Sequence, residues 1–126
     1  MRQPNEIELS YLAGYFDGEG CIHVSKLGAR VISIKSCYPK VVQKFHKIYG
    51  GWCKKLPNKS KKKQWRHFYN FRAYGNEALY VVNSLFPFLR EKKEQARLFI
   101  KYSNSKDAHT KAQYAIQIKS LKKVEY

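Results

Sequence analysis

The first third of the chain alternates between helical and strand-like spacing of apolar residues. Residues 6–17 are predicted to form a helix because their apolar positions share one helical face, at Ile7, Leu9, Leu12, Ala13 and Phe16. Residues 21–26 and 30–35 then alternate apolar and polar positions. This alternation predicts two half-buried strands joined by a turn at Gly28.

The middle of the chain repeats this order. Pro39 can begin a helix because the first helical position needs no N–H donor, and Gly50-Gly51 ends the apolar stripe that follows. Residues 52–56 are predicted to be a short strand, 57–64 a loop and 65–73 another strand. The two strand pairs can form one antiparallel sheet.

Two further helices are predicted before a polar tail. The first has an apolar stripe at Ala78, Val81, Val82 and Leu85, and Pro87 ends or kinks it; the second has Leu89, Ala96, Phe99 and Ile100. The expected class is α+β in the order α-β-β-α-β-β-α(-α). Helices would cover one face of a four-stranded antiparallel sheet. We expect one domain spanning 1–126, with a core at about 6–102 and a basic tail at 103–126.

Charge narrows the choice of partner. The 126 residues have a formal net charge of +16, and no Asp or Glu lies between Cys21 and Asn76. A solvated face normally mixes both signs, so an acid-free basic block favours a polyanionic partner, nucleic acid first. An anionic membrane is the second candidate and simple solubility the third. No signal peptide or membrane-length apolar run is present, which predicts an intracellular protein of a bacterial or phage cytoplasm or of an organelle.

The cysteines indicate neither a disulfide framework nor a zinc site. Cys21, Cys37 and Cys53 are odd in number, far apart and without a C-x-x-C pair. We expect them to be small buried side chains.

The polar face of the sheet is the candidate nucleic-acid surface. In WRHFYNFRA (65–73), burying two unpaired arginines would cost far more than exposing one phenylalanine, so Arg66, Asn70 and Arg72 are assigned to the nucleic-acid side. Loop lysines suit phosphates, whereas Arg and Asn suit base edges. The expected DNA contacts are His23, Ser25, Arg30, Ser33, Lys35, Lys54, Lys59, Lys61, Lys62, Lys63, Arg66, Asn70 and Arg72.

Two segments resemble one family of DNA-cleaving enzymes. LAGYFDGEG (12–20) resembles the signature of the LAGLIDADG homing endonucleases in Leu12, Ala13, Gly14, Asp17, the acid Glu19 and Gly20. LFPFLREKKEQA (85–96) is similar to the late segment of the same family. The expected element order agrees with the family fold over about residues 6–102.

The resemblance implies a role for each matched residue. Glu19 would be the metal ligand and central catalytic residue, and Gly18 would offer its backbone carbonyl to the metal. Asp17 would be structural, and Lys92 would lie near the scissile phosphate. A water-positioning polar residue falls on Ser36 or Lys35, and a further basic pocket residue falls on Lys40.

A single signature implies two copies of the chain. Phosphodiester hydrolysis requires stabilisation of charge on the attacking and leaving oxygens, which Mg²⁺ in an oxygen-lined site can supply. Another divalent cation, such as Mn²⁺ or Ca²⁺, could occupy the same site. One Glu19 cannot build such a centre alone, but two copies meeting at a helix crossing can, which predicts a homodimer. The expected interface comprises Leu12, Ala13, Gly14, Phe16 and Asp17.

The expected function is site-specific, Mg²⁺-dependent cleavage of double-stranded DNA at a long, near-palindromic site. The resemblance implies products with 3′-hydroxyl and 5′-phosphate ends. Two alternatives use the same scaffold: a maturase that binds intron RNA, and a DNA-binding protein without catalysis. The intact Glu19 favours the enzyme.

Overall fold

The computed structural model describes residues 4–56 and 68–124. Five α-helices and four strands follow one another in this part of the chain. They are α1 (Glu6–Glu19), β1 (Gly20–Val24), β2 (Arg30–Ser36), α2 (Pro39–Tyr49), β3 (Trp52–Leu56), β4 (Phe68–Tyr74), α3 (Gly75–Leu85), α4 (Lys93–Asn104) and α5 (Ala108–Val124), with a 3₁₀ turn at Phe86–Phe88 between α3 and α4.

The strands form one antiparallel sheet in the order β1-β2-β4-β3. The two hairpins therefore join through β2 and β4, where Ile34 lies opposite Phe71. This arrangement confirms the predicted α+β fold with a four-stranded antiparallel sheet.

One face of the sheet packs on the helices and contributes to the core. Ile22, Ile32, Ile34, Phe71 and Ala73 point to this face and are at most 1% exposed. They pack with buried residues of the helices, including Leu12, Phe16, Phe45, Val82 and Phe99. Burying an apolar side chain of this size contributes about 1.5–3 kcal/mol to folding, so this face positions the helices firmly.

Helix α1 runs directly into β1. The side chain of Asn5 caps its start by accepting a hydrogen bond from the backbone N–H of Glu8 at 2.8 Å. At its end, a Cβ on Gly20 would lie 2.5 Å from the Phe16 ring, so glycine is required for the strand to leave the helix this tightly. The helix extends to Glu19, two residues beyond the predicted end, so both acids of the signature belong to it.

Several predicted boundaries differ from the structure. β1 spans 20–24 instead of 21–26, and the first described residue of β4 is Phe68, with 65–67 outside the described residues. Pro87 lies in the 3₁₀ turn, so it separates two helices as expected.

Most of the segment expected to be a basic tail, 103–126, is helical. Residues 108–124 form α5, which packs on α4 and β1 and buries Ile118 to 2% exposure. Its inner residues Tyr114, Ile118 and Leu121 recur at helical spacing, but three apolar positions in 17 residues form too sparse a stripe to predict a helix from the sequence.

The prediction that the three cysteines are buried is wrong. Cys21 is exposed, and Cys37 and Cys53 are half-buried. Cys21 alternates with the buried Ile22, so its position on the strand directs it away from the core. In the described ranges, no helix combines the length and the apolar character needed to cross a membrane.

Candidate functional site

Asp17 joins the end of α1 to the segment before α4. Its Oδ2 accepts a hydrogen bond from the backbone N–H of Arg90 at 2.9 Å, and its Oδ1 accepts one from the backbone N–H of Lys92 at 2.9 Å. A carboxylate next to the N-terminus of α4 is also favoured by the helix dipole. Both carboxylate oxygens are thus engaged by the protein itself.

Lys92 returns a third hydrogen bond to the same helix end. Its Nζ donates to the backbone carbonyl oxygen of Asp17 at 2.8 Å. This carbonyl belongs to the last turn of α1, where carbonyl groups lack intrahelical partners and attract cations. The ammonium group is therefore held at the helix end that also bears Gly18 and Glu19.

Glu19 and Gly18 are exposed at this end of α1. A carboxylate and a backbone carbonyl are the hard oxygen donors that Mg²⁺ and Ca²⁺ prefer. In residues 4–56 and 68–124, no group of three or more His, Cys, Asp or Glu side chains could hold a metal by itself. The donors fit a divalent cation, and further donors would have to come from another molecule.

The outward face of α1 differs from the expected interface. Leu12, Ala13 and Phe16 are at most 1% exposed and pack in the core of the same chain, so their assignment to a dimer interface is wrong. Asp17 is half-buried and occupied by the hydrogen bonds described above. Apolar residues at positions i, i+1 and i+4 of a helix form one stripe, and in α1 this stripe packs in the core of the same chain.

Four other residues form the outward stripe of α1, which we call the outer face: Ile7, Tyr11, Gly14 and Gly18. Ile7 is 82% exposed and Tyr11 is 51% exposed. Gly14 and Gly18 are exposed as well, and a Cβ on either would meet nothing within 4 Å. No contact within the described chain therefore requires glycine at these two helical positions, although glycine costs about 1 kcal/mol there relative to alanine.

The sheet face opposite the helices, here called the open face, collects many of the predicted DNA contacts. Alternation and strand register assign to it Cys21, His23, Val31, Ser33, Lys35, Trp52, Lys54, Phe68, Asn70, Arg72 and Tyr74. This set contains four basic or imidazole side chains and no carboxylate. His23, Lys35, Lys54 and Arg72 are exposed.

The middle of the open face is the pairing of β2, β4 and β3. Asn70 lies between Lys35 and Lys54, and Arg72 lies between Ser33 and Trp52. Asn70 is only 4% exposed, although it was expected to be accessible, and its Oδ1 has no hydrogen-bond partner in the described part of the chain.

Two predicted contacts at strand ends differ from the rest. Ser25 lies in the turn after β1, where its Oγ accepts a hydrogen bond from the backbone N–H of Ala29 at 2.9 Å. Arg30 begins β2 on the helix side by alternation, and its Nη2 donates to Oδ1 of Asn76 at 3.0 Å. Their contact with DNA stays a prediction.

The remaining predicted residues are dispersed. Ser36 is buried, and its Oγ shares a short hydrogen bond with the Tyr15 hydroxyl and accepts one from the backbone N–H of Tyr38 at 3.1 Å. Lys40 is exposed in the first turn of α2. The predicted contacts outside the described residues are Lys59, Lys61, Lys62, Lys63 and Arg66.

Sequence reasoning did not include two features of this surface. Lys122 of α5 lies with its Nζ 3.6 Å from Sγ of Cys21, at the β1 edge of the open face. A groove of about 850 Å³ also runs between the end of β1 and α5, with His23 on its wall and four lysines in its lining. The basic residues of α5 were visible in the sequence, but their location depends on packing that only the structure provides.

Comparisons with known proteins identify the fold. The sequence matches no protein-family model and no curated protein. The structure is similar to the homing endonuclease I-CvuI in complex with its target in the presence of Ca, at a TM-score of 0.69 and 21% identity, over 91% of this chain and 82% of that chain. It is likewise similar to the archaeal intron-encoded homing endonuclease I-Vdi141I complexed with DNA, at a TM-score of 0.68 and 18% identity, over 92% and 84% of the two chains.

A second structure of I-CvuI, with the I-CreI target and Mg, superimposes at a TM-score of 0.69 and 19% identity over 92% of this chain and 82% of that chain. The fold expected from the resemblance to the LAGLIDADG homing endonucleases is thereby confirmed. At these identities the likeness concerns the fold.

Proposed function

We propose that the protein is a site-specific, metal-dependent DNA endonuclease of the LAGLIDADG type that acts as a homodimer. The observation that supports this most strongly is the hydrogen bond from Lys92 Nζ to the Asp17 carbonyl oxygen. It holds an ammonium group at the end of α1 that also bears the exposed Glu19 carboxylate. The resemblance to a nuclease family independently assigns catalytic roles to Glu19 and Lys92.

The roles of Asp17 and Glu19 follow from their different surroundings. Both oxygens of Asp17 accept backbone hydrogen bonds, so this residue is suited to fixing the distance between α1 and α4. Glu19 is exposed, and its carboxylate is the acid of the pair that is suited to a cation and a water molecule. We therefore assign Asp17 to positioning and Glu19 to metal binding and catalysis.

The reaction adds water across the P–O3′ bond of a phosphodiester, leaving a 5′-phosphate and a 3′-hydroxyl. A bound divalent cation supplies charge stabilisation of the attacking and leaving oxygens. Glu19 and the Gly18 carbonyl would hold it. The Lys92 ammonium would stabilise negative charge on the scissile phosphate, because its hydrogen bond to Asp17 fixes the side chain at this helix end.

Substrate binding is assigned to the open face. Its exposed Lys35, Lys54 and Arg72 project from neighbouring antiparallel strands, and such a twisted ribbon fits a DNA major groove. The basic side chains would contact phosphates and base edges, with no acidic side chain on this face to repel the polyanion. Among the solved structures of this fold, I-CvuI and I-Vdi141I are in complex with DNA.

Dimer formation is assigned to the outer face of α1. Gly14 and Gly18 would let the backbones of two α1 helices approach closely, with Ile7 and Tyr11 buried at the rim. A twofold crossing there would bring two Glu19 residues together and supply the donors that one chain lacks. The two sheets would then recognise the halves of a near-palindromic site.

A cleavage selection tests this function. The protein is incubated with Mg²⁺ and a library of DNA duplexes, and cut molecules are sequenced; Glu19→Gln and a Lys92→Met variant are treated in parallel. We expect the wild type to cut a narrow set of sites, and both variants to bind these sites while cutting at least about a hundredfold more slowly. Tight binding by the wild type without cleavage of any site would contradict the enzyme and favour a purely binding role.

A further inference from the structure

Arg72 occupies the centre of the open face next to an aromatic ring. Its Cζ lies 5.3 Å from the ring centroid of Trp52, the residue opposite it on β3. This distance is within the range at which a guanidinium is attracted to an aromatic face. Trp52 is 39% exposed, so the pair lies at the surface of the sheet.

The backbone brings these two residues together through a glycine. Gly51, directly before Trp52, has a φ of +74° and lies so close to β4 that a Cβ would be 2.7 Å from the Arg72 carbonyl oxygen. Only glycine accepts this φ without strain, and only glycine leaves room for that approach. The start of β3 is thus packed against the backbone of Arg72 itself.

Among the residues that the structure describes, no carboxylate pairs with the Arg72 guanidinium. Within the described part of the chain, Arg72 makes no salt bridge, and its cross-strand neighbours are Ser33 and Trp52. A ring beside a guanidinium restrains the orientation of the group while it leaves the in-plane N–H donors free. Preorganised donors of this kind match the two acceptors of a guanine edge.

We propose that Trp52 is a positioning residue that orients Arg72 for recognition of one base pair in each half-site. This inference rests on the proposed function, because it assumes that the open face recognises DNA. Trp52 would act through Arg72 and would set sequence preference more than overall affinity. A flexible arginine at this position would contact phosphates and bases less selectively.

The test is a binding selection with full-length protein, a randomised DNA duplex library and Ca²⁺ in place of Mg²⁺. The variants are Trp52→Ala, Trp52→Tyr, Arg72→Ala and the double variant of Trp52→Ala with Arg72→Ala. Tyr80→Ala is the matched control, since Tyr80 is an exposed aromatic residue of α3, on the helix side of the sheet and away from the open face.

We expect Arg72→Ala to abolish the preference at one base pair per half-site, a loss of roughly ten- to a hundredfold in discrimination. Trp52→Ala should weaken the preference at that same base pair by about three- to fivefold, and Trp52→Tyr should retain most of it. In the Arg72→Ala background, Trp52→Ala should cause no further change. Tyr80→Ala should leave the preference at that base pair as in the wild type.

Several results would overturn the inference. One is a Trp52→Ala effect that is equal in the presence and absence of Arg72, and another is a uniform loss of affinity across all sequences. A wild type that binds without any sequence preference would also overturn it. Selective binding without cleavage in Mg²⁺ would contradict the endonuclease activity and still support the role of Trp52, provided that the Arg72-dependent pattern holds.

Discussion

The carboxylate of Asp17 accepts backbone hydrogen bonds from both Arg90 and Lys92, so one side chain connects the end of α1 with the start of α4. Hydrogen bonds to a charged group contribute about 1.5–3 kcal/mol each. The bond from Lys92 is partly buried and the bond from Arg90 is exposed, so the second contributes less. We expect Asp17→Ala to lower the free energy of unfolding by roughly 2–4 kcal/mol. Urea denaturation measures this change.

The neighbouring acid provides the control for Asp17. Glu19 is exposed, and Glu19→Gln should alter the free energy of unfolding by less than about 0.5 kcal/mol. If the two substitutions changed stability equally, the division into a structural acid and a functional acid would be wrong.

Gly14 offers a direct test of the outer face of α1. Because a Cβ at Gly14 meets nothing within 4 Å, Gly14→Leu should fold and should gain helix propensity of about 1 kcal/mol within each chain. It should nevertheless prevent two α1 helices from approaching closely. Sedimentation analysis of wild type and variant is expected to show a dimer and a monomer, respectively.

Gly20 is the contrasting position for that experiment. A Cβ there would lie 2.5 Å from the Phe16 ring, so Gly20→Ala should destabilise the chain regardless of oligomeric state. A dimer that survives Gly14→Leu at unchanged affinity would show that the outer face is not the interface.

Cys21 reports on occupancy of the open face. Cys21 is exposed on β1. Burial raises the pKa of the Cys53 thiol, which lowers the fraction of reactive thiolate at neutral pH. Iodoacetamide should therefore modify Cys21 before Cys53. Bound cognate DNA should slow the modification of Cys21 severalfold, and peptide mass spectrometry measures this rate. As a control, the same duplex should leave the rate unchanged at a salt concentration that prevents binding. Equal rates with bound and unbound DNA would argue against the open face.

Helix α5 is predicted to be an integral part of the fold. Ile118 is 2% exposed against α4 and β1, so Ile118→Ala should cost about 2–4 kcal/mol of stability. Ile116, two residues earlier, is 65% exposed, and Ile116→Ala should change stability by less than about 0.5 kcal/mol. Thermal or urea unfolding separates these outcomes, and equal, small effects would mean that α5 is not packed as described.

The sequence predicted the parts of the fold that depend on local periodicity. Alternation in residues 30–35 correctly separated Ile32 and Ile34 from Ser33 and Lys35, because side chains of a strand point to opposite faces. Alternation in β4 likewise predicted that Arg72 points to the face of the sheet opposite to that of the buried Phe71. These features follow from the order of residues along one strand and do not depend on contacts between distant elements.

The errors arose where the answer depends on packing between distant elements. The sequence assigned Leu12 and Phe16 to a partner chain, because apolar spacing shows a buried stripe without showing which surface buries it. The burial of Asn70, which lies between β2 and β3, and the contact between Lys122 and Cys21 likewise depend on elements far apart in sequence. Asp17 and Lys92 were assigned roles by resemblance, and the hydrogen bonds between them are visible only in the structure.

The most direct test of the central claim measures cleavage by mixed dimers. Wild-type and Glu19→Gln chains are co-refolded at varied ratios, and the total rate of single-strand cleavage, nicks included, is measured at the selected site in Mg²⁺. If each centre requires Glu19 from both chains, activity should fall as the square of the wild-type fraction, to about a quarter at equal amounts. A linear fall, to about half at equal amounts, would contradict a catalytic centre shared between two copies of α1.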